Sequence, residues 1–267
     1  MLITLLTDYG SDDDFVGVCH AVIAGIAPEA RVVDLSHGIP RHDVRTGAIV
    51  LRRSLPYAPA GVHLAVVDPE VGGRRRAVAL RTAEEDRLLV GPDNGLLSPA
   101  ADRFGGVVQA VEISTSPCRL TPVSATFHGR DLFSPVAAHL AAGTDLAEVG
   151  EPLEPAELVR LDLPTGRLEG AEVVAHVLAI DRYGNVTLDA EHAMLARSGL
   201  RLGQQVIVEA AGAEHTAVYA HAFTDVAAGE LLLYEDAYRT LALAVNRGSA
   251  AEQLRVALDT ELRVLPA

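Results

Sequence analysis

Apolar positions along the chain fall into two regimes. Through about the first 150 residues, short unbroken apolar runs alternate with longer stretches of helical period. Leu2 to Leu6 is apolar except for one Thr, the pattern of a strand buried on both faces. Similar runs cover Arg31 to Leu35, His63 to Val67, Val78 to Arg81, Leu88 to Val90 and Val107 to Ile113. Between them, helical periods cover Phe15 to Ile26 (stopped by Pro28), a run capped by Asp43 and ending near Ser54, a run from Gly95 to about Arg103, and Leu132 to Ala142. Strands alternating with helices predict an α/β domain, Rossmann-like, with a mostly parallel sheet flanked by helices.

The pattern changes after Gly150. Glu151-Pro152-Leu153-Glu154-Pro155 reads as a linker, which sets the expected domains at 1–155 and 156–267. From Glu172 onward short strands follow closely: Val173 to Ile180, Val186 to Leu188, Gln205 to Val208, Thr216 to Ala220, Leu231 to Tyr234 and Leu241 to Val245. Glycine and aspartate turns separate them, as in a small barrel or sandwich. There is no internal repeat.

Composition narrows the function classes. With 49% hydrophobic residues the chain can bury a substantial core, and with 4% aromatics that core must be built from Val, Leu, Ile and Ala. A net charge of −14 offers no basic face for phosphates, so a general nucleic-acid partner is not expected. Two cysteines, Cys19 and Cys118, make no disulfide framework. The N-terminus has no basic leader, and no apolar run is long enough to span a bilayer. A cytoplasmic protein with no membrane partner is expected.

Candidate chemistry gathers at strand ends, where ligands bind in parallel sheets. Asp8, Asp34, Asp68 and Asp93 stand at four such ends and are expected to form one polar rim. Asp8 can take two hydrogen bonds from a ribose diol, or simply serve its own turn. Asp12, Asp13 and Asp14 read as a solvated run before a helix. Asp68 opens a glycine-containing loop that returns through Arg74, Arg75 and Arg76, and one Arg held near Asp68 would be a fixed cation for an anionic nucleophile. Phe127-His128-Gly129-Arg130-Asp131 is the densest polar cluster. His128 is the chemical candidate in it, Gly129 is expected to leave room for a nucleophile, and Arg130 and Asp131 read as scaffolding. The other histidines, His20 and His37 among them, read as structural. In the second half, Asp181-Arg182-Tyr183-Gly184-Asn185 is a turn whose aromatic ring can stack on a base, or simply good hairpin chemistry.

Taken together these motifs resemble one family. Thr7-Asp8-Tyr9-Gly10, Asp34 to Pro40, Asp68 to Gly72 with Arg75, Pro92 to Gly95, Phe127 to Asp131, Asp181 to Asn185 and Ala244 to Gly248 occur in the order seen in the S-adenosyl-L-methionine (SAM) hydroxide adenosyltransferases, relatives of the SAM-dependent fluorinase and chlorinase. The resemblance spans almost the whole chain. It implies an α/β domain followed by a β-barrel, and a homotrimer with active sites between neighbouring subunits. It also implies attack of activated water on the ribose C5′ of SAM, giving adenosine and L-methionine. The family's catalytic set falls on Asp68, Arg75 and His128. Asp8 would hold the ribose, Asp181, Tyr183 and Asn185 the methionine and adenosyl portions, and Asn246 and Arg247 the adenine edge. SAM is then the substrate, and neither metal nor cofactor is expected.

Halogenating relatives lack the His-Gly pair and the Asp of the Asp-Pro turn, so this chain's His128 and Asp68 favour water over halide. Glu70 stands where the family usually has Gly. Asp236-Ala237-Tyr238-Arg239 replaces a more usual Asn-Ser-Tyr-Gly, which removes a hydroxyl for the methionine carboxylate and suggests Arg239 as a substitute. The alternatives are a SAM-dependent halogenase, a SAM or adenosine binder without catalysis and, last, a metal-dependent phosphohydrolase using Asp8, Asp12, Asp14 and Asp131.

Overall fold

The computed structural model describes all 267 residues. The chain forms two compact units, Met1–Leu161 and Asp162–Ala267. Residues 156–161, which the linker reading placed with the barrel, hydrogen-bond within the first unit. Val159 N donates to Asp93 Oδ1 (2.8 Å), and Leu161 N donates to Ser98 Oγ (2.9 Å).

The first unit is built on β1 (Leu2–Thr7), α1 (Phe15–Ile26), β2 (Arg31–Ser36), α2 (Val44–Ser54), β3 (Val62–Val66), β4 (Ala77–Thr82), β5 (Leu88–Pro92), α3 (Ser98–Arg103), β6 (Val107–Glu112), α4 (Ser134–Ala141) and β7 (Glu151–Leu153). Its seven-stranded sheet runs β2-β1-β3-β5-β4-β6-β7. The β2, β1, β3 and β5 strands are parallel, while β4, β6 and β7 are joined antiparallel. The reason for the antiparallel half is local. Only Ala83 to Arg87 separates β4 from β5, too short for a crossover helix.

Both faces of the sheet are covered. Ile3, Leu5, Leu64 and Val66 pack with Cys19 and Ile23 of α1 and Val136 and Leu140 of α4. The alternate residues Leu6, Ala65 and Val67 pack with Leu51 of α2 and Ala100 and Ala101 of α3. This is the period-2 alternation of a doubly buried strand, and it explains the unbroken apolar runs. Two polar residues sit in the same layer as a cross-strand pair. Thr4 lies opposite His63, with Oγ1 2.9 Å from Nδ1.

The second unit contains β8 (Arg167–Glu169), β9 (Glu172–Ile180), β10 (Val186–Glu191), α5 (His192–Ser198), β11 (Gln205–Ala210), β12 (Ala213–Tyr219), β13 (Leu231–Glu235), β14 (Thr240–Val245), α6 (Ala250–Leu254) and β15 (Glu261–Pro266). Starting from β9, the pairing runs β10, β14, β13, β12, β11, β15 and back to β9, a closed seven-stranded barrel with β8 added on β9. Val173, Ala175, Val177, Val206, Val208, Leu262 and Val264 face its core. The expected barrel is therefore present, with β15 as the strand that closes it.

Candidate active site

The chain leaves β1 for β2 on one side and returns for β3 on the other, so the topology switches between β1 and β3. A crevice opens at the carboxyl ends of strands at such a point. Here it holds a cavity of about 230 Å³. Asp8 and Tyr9 line it from the end of β1, Asp68 and Val71 from beyond β3, and Phe127, His128 and Gly129 from the approach to α4. Arg41 and His42 complete one wall.

Arg75 binds the set together. Its Nε donates to both oxygens of Asp68 at 3.0 Å, and its Nη2 also donates to Asp68 Oδ2. The same Nη2 lies 2.8 Å from His128 Nδ1. Asp68 and Arg75 side chains are almost wholly buried. A guanidinium has no acceptor, so His128 Nδ1 must accept, and the proton of the neutral ring sits on Nε2. Burial, and next the Arg75 charge, push the His128 pKa below the usual imidazole value, against smaller upward pulls from Asp68 and Asp131. His128 is thus a neutral Nε2–H donor.

Local sequence explains how the pieces meet. Arg75 and Arg76 enter β4 in extended chain and project to opposite sides. Arg75 takes Asp68, while Arg76 Nε takes Asp93 Oδ2 at 2.9 Å. Gly72 has φ +76°, and a Cβ there would lie 2.2 Å from the Ala125 carbonyl oxygen. Only glycine lets the Asp68–Arg75 loop press this closely on the segment leading to His128. After His128 the chain makes a π-helical turn, Gly129–Phe133, closed by Ser134 N–H to Gly129 O. Such turns insert one residue into a helix and so redirect a side chain. Phe133 then packs under Arg75, with Cζ 5.2 Å from the ring centre.

Several expected site residues lie elsewhere. Asp93 is buried and committed to Arg76 and Val159. Asp34 pairs with His20 and His37, so the four strand-end aspartates do not share a rim; Asp8 and Asp68 do. Asp131 accepts from Arg130 and from Ser124 N, as scaffolding should. Burial alone would raise its pKa, but these bonds hold the carboxyl below the usual carboxylate range. The room expected at Gly129 is already taken. A Cβ there would fall 2.2 Å from the Tyr9 hydroxyl oxygen.

Tyr9 is the cavity residue that the motifs did not single out. Its ring stacks edgewise on Phe127 (centroids 5.9 Å apart) and tilts on Phe15 (also 5.9 Å). Burial, with the Cys19, Asp8 and Asp68 charges adding to it, pushes its pKa far up, so the phenol keeps its proton. The available signal was position: an aromatic beside Asp8 in the first strand-end turn. Asp8 itself accepts from His42 N at 2.9 Å, and His42 adopts φ +64°.

In the barrel unit, the two turns expected to bind ligand lie side by side. Ala251 N donates to Gly184 O (3.0 Å), and a Cβ on Gly184 would lie 2.1 Å from Ser249 Oγ. Asp181 organises the first turn by accepting from Tyr183 N (2.8 Å), Asn185 N (3.0 Å) and Asn185 Nδ2 (2.8 Å). Tyr183 is largely exposed, with Arg182 over its ring. Asn246 donates through Nδ2 to Val226 O (2.8 Å), and Arg247 stands exposed with φ +61°.

Comparison with known proteins matches these features over both units. The SAM hydroxide adenosyltransferase N-terminal domain matches residues 3–150, and the C-terminal domain of the same family matches residues 175–263. This chain belongs to the SAM hydroxide adenosyltransferase family. An (R)-S-adenosyl-L-methionine hydrolase from Salinispora tropica is 50% identical, over 98% of this chain and 97% of that protein. A fluorinase from Nocardia brasiliensis is more distant, 27% identical over 98% of this chain and 97% of its own. The crystal structure of an uncharacterized conserved protein from Thermotoga maritima superposes with a TM-score of 0.92 at 35% identity, covering 99% of this chain and 100% of that one.

Of the two departures from the usual residues of the SAM hydroxide adenosyltransferases, the one at Glu70 has a local answer and the one at Ala237 does not. Glu70 is exposed and closes its turn through its carbonyl, which accepts from Gly73 N at 2.9 Å. A turn closed in this way, without positive φ at Glu70, does not need glycine there. Arg239, suggested as a substitute for a lost hydroxyl, is engaged with Glu235 (Nε to Oε1, 3.2 Å).

Proposed function

We propose that the protein hydrolyses SAM to adenosine and L-methionine. The observation that carries this reading is the bonded set of Asp68, Arg75 and His128 at a cavity, in a chain half identical to a SAM hydrolase. Water attacks C5′ of the ribose. A C–O bond forms as the C5′–S bond breaks, and its electron pair leaves on sulfur as the neutral thioether of methionine. The sulfonium is a good leaving group, so the task is to align and desolvate the nucleophile.

The residue roles follow from the hydrogen bonds. His128 donates through Nε2 to the water oxygen and orients it. Asp68, both of whose oxygens Arg75 holds in place, accepts the water's proton and passes it to solvent. Arg75 supplies fixed positive charge for developing hydroxide. Tyr9, as a neutral phenol, adds a second donor at the Gly129 side. Asp8, oriented by His42 N–H, takes the ribose hydroxyls. No metal or cofactor has a step to perform in this reaction.

The barrel turns, Asp181 to Asn185 with Asn246 and Arg247, contact the methionine and adenosyl parts from a neighbouring subunit of a homotrimer. The first-unit cavity supplies the chemical groups but few partners for an adenine or an amino acid. No helix is long and apolar enough to cross a membrane, and both cysteines are unpaired, which supports a cytoplasmic setting.

Turnover of SAM in ¹⁸O-labelled water, read by mass spectrometry, tests this function. Adenosine carrying the heavy oxygen is the expected product, with no halide needed. A 5′-halo-5′-deoxyadenosine formed only with added halide would make the protein a halogenase. Tight SAM binding with no product would make it a binding protein.

A further inference from the structure

We propose that His20, Asp34 and His37 form a binding site for a divalent transition-metal ion, separate from the cavity of the reaction. His20 lies on α1, Asp34 on β2 and His37 just after β2. Their candidate ligand atoms all lie within 4.8 Å of one another. His20 Nε2 is 2.8 Å, and His37 Nε2 3.1 Å, from the same oxygen, Asp34 Oδ1. Ligands of one tetrahedral zinc ion, each about 2.0–2.1 Å from the metal, sit roughly 3.3 Å apart. The two His–Asp34 pairs reach that spacing with an outward adjustment of a few tenths of an ångström, and the third pair of ligand atoms lies within 4.8 Å, close enough for side-chain rotation to bring it onto one ion.

Hydrogen bonding among the three residues leaves a defect that an ion repairs. His20 makes a proper bond to Asp34. His37 Nε2, in contrast, is buried without a hydrogen-bond partner although it lies close to the carboxylate. Its other nitrogen, Nδ1, is anchored 2.8 Å from Thr7 Oγ1. This is the outer-sphere bond that metal-binding imidazoles have. A cation taking a lone pair from each Nε2 and from Oδ1 satisfies the orphaned nitrogen and uses the carboxylate charge. Side-chain exposures of 34% for His20 and 41% for Asp34 leave an entry path from solvent.

The donor set selects the ion. Two imidazoles and one carboxylate suit Zn²⁺, Co²⁺ or Ni²⁺, whereas Mg²⁺ and Ca²⁺ call for oxygen ligands. None of the three residues lines the reaction cavity, so the site stands whether or not the proposed hydrolysis is correct. It does touch the Asp8 loop. His37 O accepts from Gly10 N (2.8 Å), and Thr7 Oγ1 accepts from Tyr9 N (3.2 Å). The ion would clip α1, β2 and that loop together.

Titration calorimetry of chelator-stripped protein with ZnCl₂ tests the site. One Zn²⁺ per chain in the micromolar range or tighter is expected, with a thermal midpoint raised by about 5 °C at saturation. His20→Gln and Asp34→Asn should each weaken binding at least ~10-fold. His192→Gln, an exposed histidine of the barrel, should not. Metal-free thermal unfolding of each variant shows that it is folded. No measurable binding, or binding unchanged in both folded variants, overturns the proposal.

Discussion

Gly129 and Tyr9 share a space that only one Cβ-free residue can leave open, so their substitutions should be coupled. Gly129→Ala puts a methyl group 2.2 Å from the Tyr9 hydroxyl oxygen, and one of them must move. Expected is a loss of turnover of at least ~10-fold, because shifting Tyr9 or the His128 segment misplaces the water. Tyr9→Phe keeps the ring contacts with Phe15 and Phe127 and removes only the hydroxyl. It should lower kcat by roughly 10-fold with little change in thermal midpoint. In the double variant the 2.2 Å contact is gone and only the tighter-than-usual ring contacts at 3.1 and 3.3 Å remain, so its loss of activity should fall well short of the product of the two single losses. Additive losses would mean that the contact does not couple the two residues.

His128 also makes a pH prediction. Its pKa lies below the usual imidazole value, and the neutral ring is the form that accepts from Arg75. The sign follows: protonation puts a second proton on the ring at Nδ1, opposite the guanidinium, and breaks the set. kcat/KM should stay level from pH 8 down to the ordinary imidazole range near 6.5 and fall only at lower pH. An acid limb already falling above pH 7 would contradict a neutral His128. His128→Ala and Asp68→Ala should each cut turnover by ~10²–10⁴ while SAM still binds, as calorimetry would report.

At the scale of elements, a buried polar pair sets the acid stability of the first sheet. His63 on β3 accepts at Nε2 from Arg87 Nη1 (3.0 Å), so its Nδ1–H donates to Thr4 Oγ1 on β1. Burial, then the Arg87 charge, lower its pKa from the usual 6.5 to about 3. The unfolded chain therefore binds one more proton than the folded chain between those values. Stability should fall as pH drops through that window, by at most about 5 kcal/mol from this residue. His63→Gln should make the acid limb of a thermal-midpoint profile shallower by about one proton. An unchanged slope would show that His63 is protonated in the fold.

Elements also mark what was readable in the sequence. Continuous apolar runs such as Leu2 to Leu6 announced the buried strands, Asp68 stood out as a polar residue at the end of one, and His128 stood out in a dense polar cluster before an apolar helical run. The antiparallel turn of β4 was not announced, because apolar runs carry no direction. β15 was missed although Glu261-Leu262-Arg263-Val264 alternates cleanly, since a single short strand at the end of a chain has no neighbour in the sequence to confirm it. Yet it closes the barrel. Leu262→Ala, at a fully enclosed position, should cost about 2–5 kcal/mol and show as a lower midpoint in denaturant. The network around His128 was legible as residue types. Its tautomer and the place of Tyr9 depend on which atoms meet, and spacing does not carry that.

At the scale of the whole molecule, the proposed catalytic groups sit on the first unit and the second set of expected contacts on the barrel. The proposed trimer makes each site from two chains, and this has a consequence that single variants do not reveal. Asp68→Asn disables the first unit of a chain and leaves its barrel intact. Tyr183→Ala with Arg247→Ala, both at exposed positions, disables the barrel turn and leaves the first unit intact. Each protein alone should be nearly inactive. Co-expressed at equal levels, they should regain about a quarter of normal activity, because a random trimer pairs an intact first unit with an intact neighbouring barrel that often. Light scattering should give three times the 28.1 kDa of one chain. If co-expression restores nothing while both inactive variants assemble, each site lies within one chain. If the barrel variant alone stays active, those turns do not hold the substrate. Restored activity would mean instead that assembly itself completes the site, so activity should fall on dilution below the trimer's dissociation range and return on concentration.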